Sequence, residues 1–278
     1  MMTTRTPTGR RRRLGAELRR LREEAGLTID RVAEALECSP SKVSRIETGQ
    51  VSATPRDVRD MLGLYRVDDA RLEAMVQVAR EARQRGWWQK FVDVPDGVPA
   101  YVGLEAAATS IDVYMSLIVP ALLQTPDYAK AVIAAVRPDL PGAEIDRRVE
   151  LRLRRQDLLD QERPPVMRVL LDDTVLRRPV GGPAVMAAQR RRLLADADRP
   201  AVTIQVLEVA TGAHAGMDGP FTIFGFPAPA ERDVVALDSA ADALYLEGPE
   251  DVARYRRVFE LLLPAARSPE DSAAVIRP

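Results

Sequence analysis

The stretch LTIDRVAEALECSPSKVSRIETG, residues 27–49, predicts two short helices joined by a tight turn. Thr28 supplies a side-chain oxygen that caps the first helix, whose apolar residues recur at helical spacing. Ser39 caps the second helix, and Pro40 follows at its first position, where a missing N–H is harmless. Gly49 ends this helix as the residue that adopts positive φ. The stretch is therefore a helix-turn-helix.

The second helix presents two different faces. Val43 and Ile46, three residues apart, are its only large apolar residues and face the first helix. The outward residues are Pro40, Ser41, Lys42, Ser44 and Arg45, next to the capping residues Thr28 and Ser39. This small, polar and partly cationic set suits DNA phosphates and base edges. The alternative is a plain helical hairpin in a bundle core, which has no need of such an outward face.

The spacing of these residues resembles the phage-repressor-like, XRE-type helix-turn-helix. The match runs through Leu27, Thr28, Val32, Ala33, Cys38, Ser39, Val43, Ser44, Glu47 and Gly49. Ile29 stands where the family usually has a phosphate-contacting glutamine, and Glu37 replaces the turn glycine. Glu37 is therefore expected to adopt positive φ, a strained but allowed conformation. The resemblance implies binding to a double-stranded DNA operator.

The same resemblance implies an ion pair behind the second helix. In the family, an arginine at the position of Arg22, near the end of the preceding helix, pairs with the glutamate that is Glu47 here. Apolar residues of both helices are expected to bring the two charges to a partly buried seam. We therefore predict a direct ion pair that fixes the recognition helix.

The composition is that of an ordinary globular protein with room for two domains. The chain has 278 residues, of which 46% are hydrophobic. Its single cysteine, Cys38, excludes an intramolecular disulfide and is consistent with a reducing compartment. No stretch reaches the length of a membrane span, and the N-terminus lacks an apolar signal region. We predict a cytoplasmic protein with no membrane contact.

Charge is divided unevenly along the chain. Residues 1–90 carry 19 Lys and Arg against 13 Asp and Glu, a net charge of +6. The remaining residues carry 21 against 28, a net charge of −7. This asymmetry suits one module that faces DNA and another that does not.

Two segments make up the basic part. Residues 1–13 lack apolar periodicity and are predicted to form a flexible basic arm. Its arginines, Arg10, Arg11, Arg12 and Arg13, suit phosphates or a minor groove, and a solvated tail explains them equally well. Residues 14–85 are predicted to form a compact domain of five helices around the helix-turn-helix.

A change of pattern at Gly86-Trp87-Trp88 marks the predicted domain boundary. Residues 86–265 alternate helical stretches with β-branched runs and predict an α+β domain, followed by a C-terminal helix and tail, 266–278. The predicted strands are 111–119, 166–171, 202–209, 221–226 and 233–237. The last three follow one another closely and predict a mostly antiparallel sheet. The predicted helices are 126–137, 144–161, 183–195, 249–263 and 269–276, four of which open with proline at the first position.

This second part resembles a domain of unassigned function that follows such helix-turn-helix modules in actinobacterial antitoxin-like regulators. The matching residues include Gly86-Trp87-Trp88, Leu104-Glu105, Val119-Pro120, Leu122 to Thr125, Tyr128-Ala129, Arg152, Arg155-Gln156, Leu176 to Arg178, Val206-Leu207 and Gly219 to Phe221. Ala121 stands where the family usually has glycine. The resemblance implies a small partner protein encoded nearby.

Little in the sequence supports catalysis. His214 is the only histidine, which excludes sites with several imidazoles, and its glycine-flanked context indicates a loop or pocket residue. Asp172, Asp173, Asp196 and Asp198 are explained by helix capping, and no phosphate-binding or dinucleotide fingerprint is present. The residues that suit a ligand or partner pocket are Trp87, Trp88, Glu105, Arg152, Arg155, Gln156 and His214. The alternative, which the composition favours, is an ion-pair network within the core together with buried aromatic rings. We predict no enzyme activity, no cofactor and no metal.

We therefore predict a sequence-specific DNA-binding transcriptional regulator of antitoxin-like type that forms a homodimer. Its C-terminal domain is expected to bind a partner protein or a small effector, to dimerise, or both. The alternatives are a protein-interaction module tethered to DNA and a repressor that senses a small molecule.

Overall fold

In the computed structural model the residues described are 7–49, 51–82, 97–226, 233–238 and 243–278. The chain divides into two compact units. One comprises residues 1–90 with 102–107 and 226–232, and the other comprises 91–101, 108–225 and 233–278. The predicted boundary at Gly86 lies outside the described residues.

Five helices lie between Pro7 and Ala82, as predicted. They are α1 (Pro7–Glu24), α2 (Ile29–Ala35), α3 (Pro40–Glu47), α4 (Pro55–Leu64) and α5 (Asp69–Ala82). All five contribute to one apolar core, in which Leu18, Val32, Val58, Leu62 and Ala79 are essentially inaccessible to solvent. This core determines how the two helices of the helix-turn-helix are oriented.

The predicted flexible arm is partly wrong. Helix α1 begins at Pro7 rather than at Leu14, so the backbone of Arg10 to Arg13 is helical. Arginine has a high helix propensity, and proline is favourable at a first helical position. The helix therefore extends beyond the apolar periodicity on which the prediction relied. Residues 1–6 lie outside the described part of the chain.

The second unit is built on a six-stranded mixed sheet. Its strands are β1 (Ser110–Met115), β2 (Val166–Asp172), β3 (Val202–Leu207), β4 (Phe221–Gly225), β5 (Val234–Asp238) and β6 (Ala243–Leu246). Their order in the sheet is β3-β2-β1-β4-β5-β6. The strands β1, β2 and β3 run parallel, whereas β4 pairs antiparallel with β1 and continues antiparallel through β5 to β6. The predicted mostly antiparallel sheet is therefore wrong.

Long helical connections explain the parallel half. The chain passes from β1 to β2 through α7 (Pro126–Val136) and α8 (Gly142–Gln156), and from β2 to β3 through α9 (Thr174–Arg177) and α10 (Pro183–Ala197). Crossovers of this length return the chain to the same end of the sheet, so the next strand is parallel. The sequence placed β3 in an antiparallel meander, but that meander consists of β4, β5 and the unpredicted four-residue strand β6.

Prolines open four helices of this unit, as predicted. They are Pro126 of α7, Pro183 of α10, Pro249 of α11 (Pro249–Leu262) and Pro269 of α12 (Pro269–Ile276). The helix α6 (Gly97–Ala107) was not predicted. Its sequence, GVPAYVGLEAA, is apolar without a clear polar face, so it lacks the periodicity that marks a surface helix.

One face of the sheet packs against α11. Tyr114, Leu170, Phe221 and Ile223 of the strands meet Phe259 of the helix in an apolar cluster. A charged pair lies on the same face, because Asp112 of β1 stands opposite Arg168 of β2. Both guanidinium nitrogens that face Asp112 donate to its carboxylate, at 2.7 and 2.8 Å. Asp112 is buried, and this pairing satisfies its charge.

The C-terminal residues cover the β3 edge of the sheet. The backbone N–H of Arg267 donates to the carbonyl oxygen of Val206 at 2.9 Å, and the N–H of Val206 donates to Ser272 Oγ at 2.9 Å. Arg190 of α10 donates to the carbonyl oxygens of Ile276 and Arg277 at 3.4 and 3.0 Å. The predicted C-terminal segment 266–278 therefore packs as part of the second unit and protects a strand edge.

Candidate nucleic-acid interface

The helix-turn-helix has the predicted capping groups. Thr28 Oγ1 accepts a hydrogen bond from the backbone N–H of Arg31 at 3.3 Å, and Ser39 Oγ accepts one from Lys42 at 3.2 Å. Glu37 has φ of +49° and Gly49 has φ of +72°. The turn therefore contains a non-glycine residue in the left-handed region, as predicted from the missing glycine.

Helix α3 divides into a buried and an exposed face at the predicted positions. Val43 and Ile46 are buried against the core, and so is Glu47. The residues open to solvent are Ser39, Pro40, Ser41 and Arg45, together with Thr28 at the start of α2; Lys42 and Ser44 are half-buried. The exposed set lies on the first two turns of the helix, where a recognition helix contacts base edges. Arg45 donates from Nε to the carbonyl oxygen of Ser41 at 3.2 Å, which keeps its guanidinium on this surface.

Arg22 and Glu47 form the predicted ion pair. Arg22 Nε donates to Glu47 Oε1 at 2.7 Å, and Nη2 donates to Oε2 at 3.0 Å. The two side chains are only 9% and 3% exposed. The hydrogen bond to Glu47 raises the pKa of Arg22 despite burial. A third bond, from Nη1 to the carbonyl oxygen of Leu27 at 2.8 Å, ties this pair to the start of the helix-turn-helix.

A glycine lets α1 approach the end of the recognition helix. A Cβ atom added at Gly15 would lie 2.6 Å from the carbonyl oxygen of Glu47, and closer still to that of Ile46. No side chain fits at that distance, because backbone atoms cannot move away as a side chain does. The last turn of α3 is therefore held by this close contact as well as by the ion pair. The sequence shows Gly15 only as an unremarkable glycine inside a helix.

Lys42 is engaged within the domain. Its Nζ donates to Asp57 Oδ1 of α4 at 2.8 Å. Asp57 Oδ2 also accepts from the backbone N–H of Thr54 at 2.9 Å and from its hydroxyl at 2.7 Å, which completes a capping box at the start of α4. One carboxylate thus caps α4 and contacts the recognition helix. The spacing of Thr54 and Asp57 in the sequence is that of a capping box, whereas the contact with Lys42 depends on how the helices pack.

Two of the predicted pocket residues hold a buried loop. Gln156 Nε2 of α8 donates to the carbonyl oxygens of Ala121 and Gln124, at 3.1 and 2.8 Å. Arg152 Nη1 donates to Gln124 Oε1 at 2.8 Å, while Gln124 Nε2 donates to the carbonyl oxygen of Val119 at 2.6 Å. The loop between β1 and α7 has little secondary structure, so these side chains satisfy backbone groups that would otherwise be buried without partners.

A third glutamine, which the sequence analysis missed, completes this support. Gln189 of α10 is fully buried; its Nε2 donates to the carbonyl oxygen of Leu123 and its Oε1 accepts from the N–H of Thr125, both at 2.7 Å. It lies on the same helix face as the buried residues Met186 and Leu193. Its position at helical spacing between two apolar residues could have indicated from the sequence that Gln189 is buried.

The other predicted pocket residues occupy separate positions. His214 lies in the loop between β3 and β4, where its Nδ1 accepts from the N–H of Gly216 at 3.1 Å. Its ring packs edge-on against Tyr114, with centroids 6.0 Å apart. The Arg155 guanidinium lies 5.1 Å from the centroid of the Tyr101 ring. These contacts give both residues structural partners.

Two further predictions concern Glu105 and the two tryptophans. Glu105 is buried on α6. Trp87 and Trp88 lie outside the described residues, so their predicted roles stay predictions.

Three of the four aspartates for which helix capping was predicted have protein partners in the described part of the chain. Asp172 accepts from the N–H of Thr174 at 3.0 Å. Asp173 accepts from Arg177 at 2.7 Å, and Asp196 accepts from Arg192 at 2.6 Å. Within the described ranges no group of three or more His, Cys, Asp or Glu side chains is placed to hold a metal ion.

Comparison with known families gives two matches. A family model described as a helix-turn-helix domain matches residues 13–75, and one described as a domain of unknown function (DUF5753) matches residues 98–278. No curated protein and no solved structure matches the chain. None of the helices in the described parts is long and apolar enough to cross a membrane. Since the second match covers more than half of the chain, the protein belongs to the DUF5753 family, with a helix-turn-helix domain at its N-terminal end.

Proposed function

We propose that the protein is a sequence-specific DNA-binding transcriptional regulator of the repressor-like, XRE type. The main support is the geometry of α3, which exposes Ser41 and Arg45 while the buried Arg22–Glu47 pair fixes its other face. A helix that is rigidly held and exposes polar side chains on its first turns suits insertion into a major groove. The basic charge of residues 1–90 supports the same proposal.

Within this proposal, Arg45 makes the principal base contact. An arginine on the exposed face donates two parallel hydrogen bonds to guanine O6 and N7, the commonest specific contact in major grooves. Pro40 and Ser41 lie one turn earlier and contact the neighbouring bases through apolar and hydroxyl groups.

The experiment is a selection of bound duplexes from a random-sequence pool with the full chain. A defined operator is expected, and Arg45→Ala is expected to lose about 1–3 kcal/mol of binding free energy and to relax preference at one base pair. The matched control is Arg154→Ala, which removes an exposed arginine of α8 and should leave the preferred site unchanged. Recovery of no preferred sequence would contradict the proposal, and an unchanged site with Arg45→Ala would contradict the assignment of Arg45.

We also propose that the C-terminal domain binds and does not catalyse: it dimerises, or holds a partner protein or small effector in an antitoxin-like arrangement. Support comes from the net charge of −7 after residue 90 and from the structural roles of Arg152 and Gln156. The measurement is operator affinity and complex mass for the full chain, with and without the product of the adjacent gene. A changed affinity would support partner binding, whereas equal affinities would leave a dimerisation domain.

A further inference from the structure

The contact between Lys42 and Asp57 lies beside the surface of α3 that we propose faces DNA. Lys42 is the third residue of α3, and Asp57 is the third residue of α4. The two side chains are 42% and 17% exposed, so the pair lies at the rim of the interface. Their 2.8 Å bond links the first turn of the recognition helix to the first turn of the next helix.

Electrostatics favours this pairing in the free protein. A cation in the first turn of a helix opposes the helix dipole, whereas a carboxylate there is stabilised by it. Asp57 lies near the first turns of both α3 and α4. Its negative charge therefore offsets the unfavourable interaction between the Lys42 charge and the dipole of α3. The hydrogen bond to Asp57 raises the pKa of Lys42; burial raises the pKa of Asp57, but bonds from Lys42 and Thr54 lower it overall.

Moving Lys42 to a phosphate would leave an anion behind. The Asp57 carboxylate would keep its two bonds from Thr54 but lose its only described cation. It would then remain at the edge of a surface that approaches the negatively charged backbone of DNA. The gain from one new lysine–phosphate contact is therefore offset by repulsion between phosphate and Asp57.

On the basis of the proposed DNA-binding function, we infer that Asp57 neutralises Lys42 in place, so that Lys42 positions α3 against α4 and does not serve as a phosphate contact. Asp57 is then a specificity-determining residue, because it prevents Lys42 from contacting a DNA phosphate. Such a contact would strengthen binding to every sequence alike, whereas Arg45 contacts the bases. This inference replaces the expectation from sequence that Lys42 binds phosphate.

The test is the salt dependence of binding to a random-sequence duplex by the full chain, because each phosphate contact adds about 0.9 to the slope of log affinity against log salt concentration. Asp57→Asn keeps an acceptor for the Thr54 cap but removes the charge that neutralises Lys42. We expect it to steepen the slope by about 0.9 and to strengthen non-specific binding about eightfold near 0.1 M salt. The double variant Lys42→Met with Asp57→Asn removes both charges and is expected to restore the wild-type slope.

A plain phosphate contact predicts a different pattern. If Lys42 neutralised a phosphate independently of Asp57, Asp57→Asn would leave the slope unchanged and the double variant would lower it by about 0.9. The inference stands only if the single variant steepens the slope and the double variant matches wild type; any other pattern overturns it.

One control addresses the general effect of freeing a lysine. The control variant is Asp146→Asn, which releases Lys130 from a similar 2.8 Å pair in the other domain and should leave the slope unchanged. A change equal to that of Asp57→Asn would show that any added positive charge suffices, and would overturn the inference. A wild-type chain that binds no duplex at all would instead refute the proposed function itself.

Discussion

The buried ion pair between Arg22 and Glu47 gives the sharpest prediction. Glu47→Ala would remove two of the three hydrogen bonds described for the Arg22 guanidinium and leave its charge without a buried partner. Because both side chains are more than nine-tenths buried, solvent screens this loss very little. Removing one partner of such a pair costs about 3–5 kcal/mol. At about 1.4 kcal/mol per factor of ten, amide protection in α1 and α3 should fall between about a hundredfold and a few thousandfold.

Hydrogen exchange on the full chain measures this effect without assuming that its two units unfold together. The control is Glu34→Ala, which breaks a pair with Arg31 in which both side chains are 72% exposed and which should change protection little. The double variant Arg22→Met with Glu47→Leu should recover most of the loss, because apolar replacements leave no uncompensated charge. Equal effects of Glu47→Ala and Glu34→Ala, or a double variant no more protected than the single one, would refute the reasoning.

Three further predictions concern packing, acid stability and the buried loop. Gly15→Ala should destabilise the N-terminal helices by about 1–3 kcal/mol and weaken operator binding, since its Cβ would displace the end of the recognition helix. Gly63→Ala, which meets nothing within 4 Å, should stabilise α4 by about 0.5–1 kcal/mol; comparing both variants by thermal unfolding separates crowding from helix propensity. Glu17 has its pKa lowered from 4.5 to about 2, chiefly by the hydrogen bond from Arg20. The ionised Glu17 therefore stabilises the fold above pH 4.5, and this stabilisation is lost as pH falls toward 2. Over that range the free energy of unfolding of the wild type should fall by about 1 kcal/mol more than that of Glu17→Gln. Gln189→Met should cost about 2–4 kcal/mol in denaturant unfolding of the full chain, because it leaves two buried backbone groups without partners.

Features that depend on neighbouring residues could be predicted from the sequence. Helix starts at Pro126 and Pro269 follow from a cap residue and a proline within two positions, and both were correct. The positive φ of Glu37 followed from a missing turn glycine. The Arg22–Glu47 pair spans 25 residues and could be predicted only from the family resemblance.

Features that depend on distant pairing could not be predicted in this way. Strand patterns identified β1, β2 and β3 but contain no information on which edges meet, so the parallel half was missed. Lys42 pairs with Asp57 because α4 packs beside α3. Gly15 lies against the backbone of Glu47 because α1 crosses the end of α3. In both cases the local sequence is compatible with several partners.

The central position of β1 has a consequence for biosynthesis. This strand emerges from the ribosome before every other strand of the sheet, yet its two neighbours are far away along the chain. Asp112 and its partner Arg168 are 56 residues apart, and Thr109, which immediately precedes β1, is 116 residues from its partner Gly225. A nascent chain must therefore keep an apolar strand with a single unpaired carboxylate from associating with other chains until more than a hundred further residues have been translated. During that interval we expect the charge of Asp112, which Arg168 neutralises in the finished sheet, to discourage aggregation of the strand.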